Sequence, residues 1–260
     1  MMIREKFDEL RGKKEGALIA YICAGDPIAE KTVEIVDALV KGGVDMIELG
    51  LPFSDPVADG ATIQAAIDRA LTSGMNPDKF FKLAGSMNVN VPLIVMTYYN
   101  LIFRRGIKRF VSDCKSAGIS GIIVPDLPVE ESEELHQFCR DAGVDLIFIV
   151  APTTTEERMN LILDKASGFL YIVSRLGVTG VREDVADSTE GLLKRIKAPI
   201  PKAVGFGISK PEHVREILKA GADGVIVGSA FVNIIAKNEP EMLKSLENLA
   251  TTLKSVTLNR

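Results

Sequence analysis

Cysteine and histidine are scarce in this 260-residue chain, with three of the first and two of the second. Cys23, Cys114 and Cys139 are odd in number, far apart and never in a CxxC pair, which excludes a disulfide framework and a cysteine-held zinc site and fits a reducing compartment. His136 and His213 fall on helical patterns away from other candidate ligands, so a histidine-based metal site is not indicated. No run of 18 apolar residues occurs, and the N-terminal MMIREKFDELRGKKEGA is charged throughout, so neither a membrane span nor a signal peptide is expected. A cytoplasmic protein is the plain reading. An excess of positive charge is also missing: 31 Lys and Arg stand against 35 Asp and Glu, for a net charge of -4, which argues against a nucleic-acid or anionic-membrane partner. A small anionic metabolite stays open, because a few local donors suffice to bind it. Tryptophan is absent, which by itself excludes nothing.

What is present is a hydrophobic content of 47% in a length that suits one large domain, and no Gly/Ser-rich, Pro-rich or low-complexity linker divides it. A joint recurs along the chain as GGVDMIELG (42–50), AGISGIIVPD (117–126), AGVDLIFIVAP (142–152) and AGADGVIVGSA (220–230). Each reads as a glycine ending a helix, a turn residue, then a short β-branched run. Completing the pattern predicts strands near 17–24, 45–50, 92–98, 121–126, 145–151, 169–174, 201–206 and 224–228. Between them lie amphipathic helical stretches such as AEKTVEIVDALVKG and PEHVREILKAG. The strands are near-continuous apolar runs, as in parallel sheets covered on both faces. Eight strand-helix units point to an α/β fold, a single-domain (β/α)8 TIM barrel over residues 1–260. An open doubly wound sheet is the rival, but no GxGxxG follows the first strand. Ile3, Phe7 and Leu10 add a short amphipathic N-terminal helix on the barrel body.

In such a barrel the C-terminal strand ends carry chemistry and the N-terminal ends carry stability. Asp45, Asp145 and Asp223 sit at strand starts in three copies of the joint and read as turn or capping groups. Glu48 lies three residues further on and alternates with Ile47 and Leu49, so it points into the mouth if those two face the helices. A buried carboxylate is costly unless paired or used, and burial raises its pKa toward that of a useful proton shuttle. A structural salt bridge is the competing explanation. Asp59, on the following loop, can fold back over Glu48, with helix capping as its ordinary alternative; Asp55 is evenly balanced between turn formation and function. Asp26 reads as an N-cap before proline, and Asp126 as a reserve candidate. The joints SRLGVTG, VGFGIS and VGSAF place small residues after the last three strands, and a helix starting near Ser229 would aim its positive end at an anion. Gly207, Gly228 and Ser229, with Gly180 closing from the sixth unit, form a candidate phosphate grip, although any single glycine is explained by a tight turn. FRRGIKRF (103–110) reads as the solvated face of a helix.

Together ELGLPFSDPVADGATIQ, PDLPVEES, SRLGVTG, GFGIS and VGSA resemble, in this order and spacing, the tryptophan synthase α subunit family over essentially the whole chain. The resemblance implies metal-free and cofactor-free retro-aldol cleavage of indole-3-glycerol phosphate to indole and glyceraldehyde 3-phosphate. It makes Glu48 and Asp59 the catalytic pair and Tyr21, Tyr98, Tyr171 and Phe206 the aromatic lining. It also sets Ile63 against the indole and Thr179 on a mobile loop that closes over the site. Ordinary core packing is the alternative for each aromatic. It further implies a pyridoxal-phosphate-dependent β subunit that takes up the indole in an α2β2 assembly, with Pro52, Phe53 and Asp55 on the loop facing it. Ala20, Cys23, Ala61 and Leu176 depart from the family's usual residues, and none of these departures removes a proton-transfer group. The competing functions are a free-standing lyase of the same chemistry, another phosphate-sugar barrel of amino-acid biosynthesis, which leaves ELGLPFSDPVADG unexplained, and a non-catalytic subunit that only activates a partner.

Overall fold

The strands form where β-branched runs follow the glycine joints: β1 (Ala17–Cys23), β2 (Met46–Gly50), β3 (Leu93–Met96), β4 (Ile119–Ile123), β5 (Asp145–Ile147), β6 (Ile149–Val150), β7 (Leu170–Val173), β8 (Lys202–Gly205) and β9 (Gly224–Val227). A computed structural model describes residues 2–173, 189–205 and 207–258. All strand pairs are parallel, in the order β5-β4-β3-β2-β1-β9-β8-β7-β6. β5 and β6 are one stretch interrupted at Phe148, so the two ends of that order meet and the sheet comes round into a barrel. The eight expected staves are therefore present, the fifth in two pieces. β5 bonds only to β4 and β6 only to β7, and the Phe148 carbonyl accepts from Tyr171 N at 3.0 Å, so the break hands the wall from one neighbour to the other.

Several strands are shorter than their apolar runs. β4 stops at Ile123 because Pro125 cannot donate to a ladder, and β3 stops at Met96 because Tyr98 already precedes the helix Tyr99–Arg105. Register then settles the direction of each side chain. Ile19 pairs with Met46, Tyr21 with Glu48 and Cys23 with Gly50, while Glu48 pairs with Ile94 across β3. Alternation sends Ile19, Tyr21, Met46, Glu48 and Gly50 inward and Leu18, Ala20, Ile47 and Leu49 out to the helices.

Two cores result. The outer one joins the sheet's convex face to the helices, and the inner one gathers Ile19, Met46, Ile94, Ile123, Ile147, Phe169 and Ile226. Ile3, Phe7 and Leu10 join the inner core, with the Phe7 and Phe169 rings 5.7 Å apart, so the helix Ile3–Gly12 plugs the lower mouth. That place is more specific than the barrel body.

Acids at the lower rim mostly serve the backbone. Asp45 accepts from Leu18 N at 2.7 Å and from Lys254 Nζ at 2.9 Å, and Asp223 accepts from Lys202 N at 2.9 Å. Asp145 departs from this pattern: one of its oxygens is buried with no hydrogen-bond partner among the described residues, and burial raises its pKa despite the Ser167 hydroxyl. No described helix is long and apolar enough to cross a membrane.

Candidate active site at the upper mouth

Glu48 is 1% exposed, and its Oε2 is buried without a hydrogen-bond partner among the described residues. Burial, reinforced by the negative charge of Asp59, pushes its pKa up to about 8. The residue thus keeps its proton at neutral pH and holds it close to the point of release. No ion pair to Glu48 occurs among the described residues, which leaves the salt-bridge explanation without support.

Asp59 is delivered by the loop that leaves β2. The root of that loop is tied to β3 by Leu51 N donating to the Met96 carbonyl at 2.9 Å and by Thr97 Oγ1 donating to the Leu51 carbonyl at 3.2 Å. Further out, the buried Tyr98 hydroxyl donates to Asp59 Oδ2 at 2.6 Å and accepts from Ala58 N at 3.1 Å. Gln64 Nε2 donates to the Asp59 carbonyl at 2.7 Å. Gly60, not Asp59, is the N-cap of the helix Ala61–Thr72, so the capping explanation for Asp59 fails. Burial raises the Asp59 pKa, and the Tyr98 hydrogen bond partly offsets the rise. Asp55 is different: it is exposed and accepts from Ser54 Oγ at 2.6 Å, a local turn contact. Pro52 is buried, and half-buried Phe53 packs on Tyr98 with ring centroids 5.4 Å apart.

The remaining predicted residues sort as follows. Tyr21 and Tyr171 both face the interior, and their hydroxyls lie over Gly50 and Gly205, where a Cβ would collide with them. Ile63, in the first turn of Ala61–Thr72, is half-buried against the outer core. Gly207 turns the chain after β8 with φ +73°, a conformation open to glycine, and it is exposed. Gly228 caps the helix Ser229–Lys237 and Ser229 begins it, so the unpaired first N–H groups of that helix lie at the exit of β9. Thr179, Gly180, Leu176 and Phe206 lie outside the described residues. A cleft of about 430 Å³ between the exits of β4 and β6, lined in part by Pro125, Asp126, Phe148, Ile149 and Thr153, lies beside this mouth and contains neither Glu48 nor Asp59.

The arrangement offers a protonated carboxyl inside an apolar mouth, a second carboxyl group close enough to act on it electrostatically, and an anion-suited rim. Its residue order is matched over residues 7–258 by the family model described as tryptophan synthase alpha chain. The chain belongs to the tryptophan synthase alpha chain family. Among its curated relatives, the tryptophan synthase alpha chain of Methanosarcina mazei is 60% identical over 253 residues, covering 97% of this chain and 93% of the relative. That of Methanocaldococcus jannaschii is 54% identical, covering 93% and 87%. Among solved structures, tryptophan synthase subunit alpha from Legionella pneumophila superposes with a TM-score of 0.89 at 34% identity, covering 98% of this chain and 97% of that one. A chain of the tryptophan synthase complex from Pyrococcus furiosus gives 0.83 at 40% identity, covering 92% and 98%.

Of the residues that differ from usual members of the tryptophan synthase alpha chain family, Ala20 is buried on the outward face of β1. Cys23 is buried at its upper end, with its thiol pKa pushed up by burial, and Ala61 is exposed at the first helical position after Gly60. None of the three adds or removes a group near Glu48 that could carry a proton at neutral pH. Other readings change. Asp26 caps no helix: it is buried in a bidentate pair with Arg69 at 2.7 and 2.8 Å, binding the β1 exit loop to Ala61–Thr72. Asp126 accepts from Tyr99 N at 2.9 Å and so serves the start of Tyr99–Arg105. In the basic stretch, Arg105 is not solvated; it pairs with Asp78 and Asp113 and lies 4.8 Å over the Phe81 ring. Gly50 and Gly205 are not among the candidate residues that the sequence motifs single out. The available signal was a glycine inside a strand of otherwise bulky residues, which marks close approach of another group.

Proposed function

We propose that this chain catalyses the retro-aldol cleavage of indole-3-glycerol phosphate to indole and glyceraldehyde 3-phosphate, as a carbon–carbon lyase without metal or organic cofactor. The observation that carries the reading is Glu48, buried at the mouth with an oxygen unpartnered among the described residues and a pKa pushed up to about 8, within electrostatic reach of Asp59, which Tyr98 holds. Glu48 in its acid form gives its proton to indole C3. Asp59 accepts the indole N–H in a hydrogen bond and stabilises the positive charge that then resides on that ring. The Glu48 carboxylate next removes the proton of the side-chain hydroxyl beside the ring. That hydroxyl becomes the aldehyde, the bond to C3 breaks and its electron pair restores the aromatic ring, so Glu48 ends protonated as it began.

The substrate phosphate is assigned to Gly207, Gly228 and Ser229 at the exits of β8 and β9, with Gly180 from the preceding unit, because the start of Ser229–Lys237 presents unpaired N–H groups there. Tyr21, Ile63, Tyr98, Tyr171 and Phe206 are assigned to the cavity wall, and Thr179 to the loop that closes it. Indole is passed on to a pyridoxal-phosphate-dependent β subunit in an α2β2 assembly, in the cytoplasm. Supporting this, a related Pyrococcus furiosus structure is described as an a2b2 complex. Val57, in the same loop as Pro52, Phe53 and Asp55, is apolar and 81% exposed.

The deciding experiment is indole release from indole-3-glycerol phosphate by the purified chain, alone and with a β subunit. Release that rises strongly with the β subunit supports the reading. Full activity in isolation would establish a free-standing lyase instead, and no release under either condition would remove the assignment.

A further inference from the structure

Gly50 stands two residues beyond Glu48 on the same face of β2, in register with Cys23 of β1 and Met96 of β3. Its backbone is ordinary strand and does not fall in the left-handed region, so conformation does not require glycine there. Glycine weakens a strand interior and loses packing, so another cause is needed. Space supplies it. A Cβ at position 50 would collide with the Tyr21 hydroxyl and lie 2.9 Å from Tyr21 Cζ and 3.0 Å from Cε2. The root of the same ring is fixed in β1, which is bonded to β2 on one side and β9 on the other, and it lies near Gly228, where a Cβ would be 3.4 Å from Tyr21 Cβ and Cδ1. Tyr21 therefore spans from the β9 exit to the β2 exit, 6% exposed, with a glycine under each end.

Resting on the function proposed above, we infer that Gly50 is a positioning residue: by carrying no side chain it lets the Tyr21 ring lie flat across the mouth, which sets the width left for the indole ring beside Glu48. Any side chain at position 50 lifts the phenol end into the cavity, because the root is fixed in β1 between β2 and β9. Gly50 touches no reacting atom. It acts through Tyr21, and Tyr21 acts by occupying or vacating space.

A double-mutant cycle on the full chain with its β subunit tests this. Gly50→Ala should lower kcat/KM by roughly tenfold to a hundredfold, as expected of a displacement near 1 Å at a reacting ring, chiefly through KM. Adding Tyr21→Leu should recover at least several-fold of that loss, although Tyr21→Leu alone lowers kcat/KM of the parent chain. A merely structural glycine would instead lose stability without this reciprocal rescue. The urea midpoint, measured on all four proteins, gives a second cycle that needs no activity. Coupling of Gly50→Ala to Tyr21→Leu in that cycle supports the contact even if the parent chain releases no indole, an outcome that would sink the function alone. The inference is overturned if Gly50→Ala keeps the parent kcat/KM, if the kcat/KM cycle is additive, or if the urea cycle is additive.

Discussion

The two mouths of this barrel are built from the same strands, and two acids toward opposite ends of β2, Asp45 and Glu48, meet opposite surroundings there. At the lower mouth Asp45 receives a backbone N–H at 2.7 Å and the Lys254 ammonium at 2.9 Å, and the interior is sealed by Phe7 against Phe169. At the upper mouth Glu48 has a buried oxygen without a described partner, and Asp59 has a tyrosine hydroxyl in place of a cation. Glu48 lies only three positions beyond Asp45, which immediately precedes β2. Asp45, just before the strand, finds a backbone donor and a cation, whereas Glu48, three positions on, is desolvated without a described partner and becomes a proton donor. The destabilising end is the reactive one.

The largest effect should come from removing that reactive group. Glu48→Gln should lower indole release by at least a thousandfold, since both proton transfers pass through one carboxyl. The same variant should be more resistant to urea at alkaline pH. The sign follows from linkage: the folded pKa of about 8 lies above the reference value of 4.5, so the contribution of Glu48 to stability is full below 4.5 and is lost as pH rises toward and past 8. Glutamine does not titrate and escapes that loss. For the same reason the parent activity should decline as pH rises through about 8. An activity profile flat to pH 10, or an unfolding midpoint for Glu48→Gln that tracks the parent at every pH, would contradict the contrast between the mouths.

Phe7→Ala probes the opposite mouth and is next in size. Emptying a ring buried to 2% exposure in the inner core should cost about 3–5 kcal/mol in urea unfolding. Under conditions where the variant is folded, kcat/KM should change less than about threefold, because the plug lies at the stable end of the strands. A tenfold loss with retained stability would show that the two ends are not independent.

How much of this could be read beforehand depends on whether a feature is local. Glu48 was legible because period-two alternation with Ile47 and Leu49 fixes its direction, and Asp45 because the repeated joint gives it an ordinary place. The eight staves were legible for the same reason, although the break at Phe148 was not, since 145–151 reads as one apolar run. Contacts between distant segments left no local mark. Asp26 looked like a cap before proline, yet its partner is Arg69, 43 residues away, and Tyr98 gives no sign in its neighbouring residues that it meets Asp59. Gly50 was visible only as a glycine in a bulky strand, and the ring that explains it comes from the neighbouring one.

The smallest expected change asks whether the upper mouth tunes its acids or merely leaves them buried. Burial raises the Asp59 pKa, and the Tyr98 hydrogen bond pulls it back, favouring the ionised form needed to stabilise positive charge on the indole ring. Tyr98→Phe keeps the ring on Phe53 and removes only the hydroxyl, so a charge-assisted hydrogen bond is lost while the packing stays. Release of indole should fall about tenfold at neutral pH, an effect of the size such a bond supplies. The acid limb of the pH profile should also move to higher pH, because Asp59 without its donor holds a proton longer. Raising the pH should then recover part of the loss up to the point where Glu48 begins to ionise. If the acid limb stayed where it is in the parent, Tyr98 would be a wall residue only, and Asp59 would owe its charge state to the loop alone.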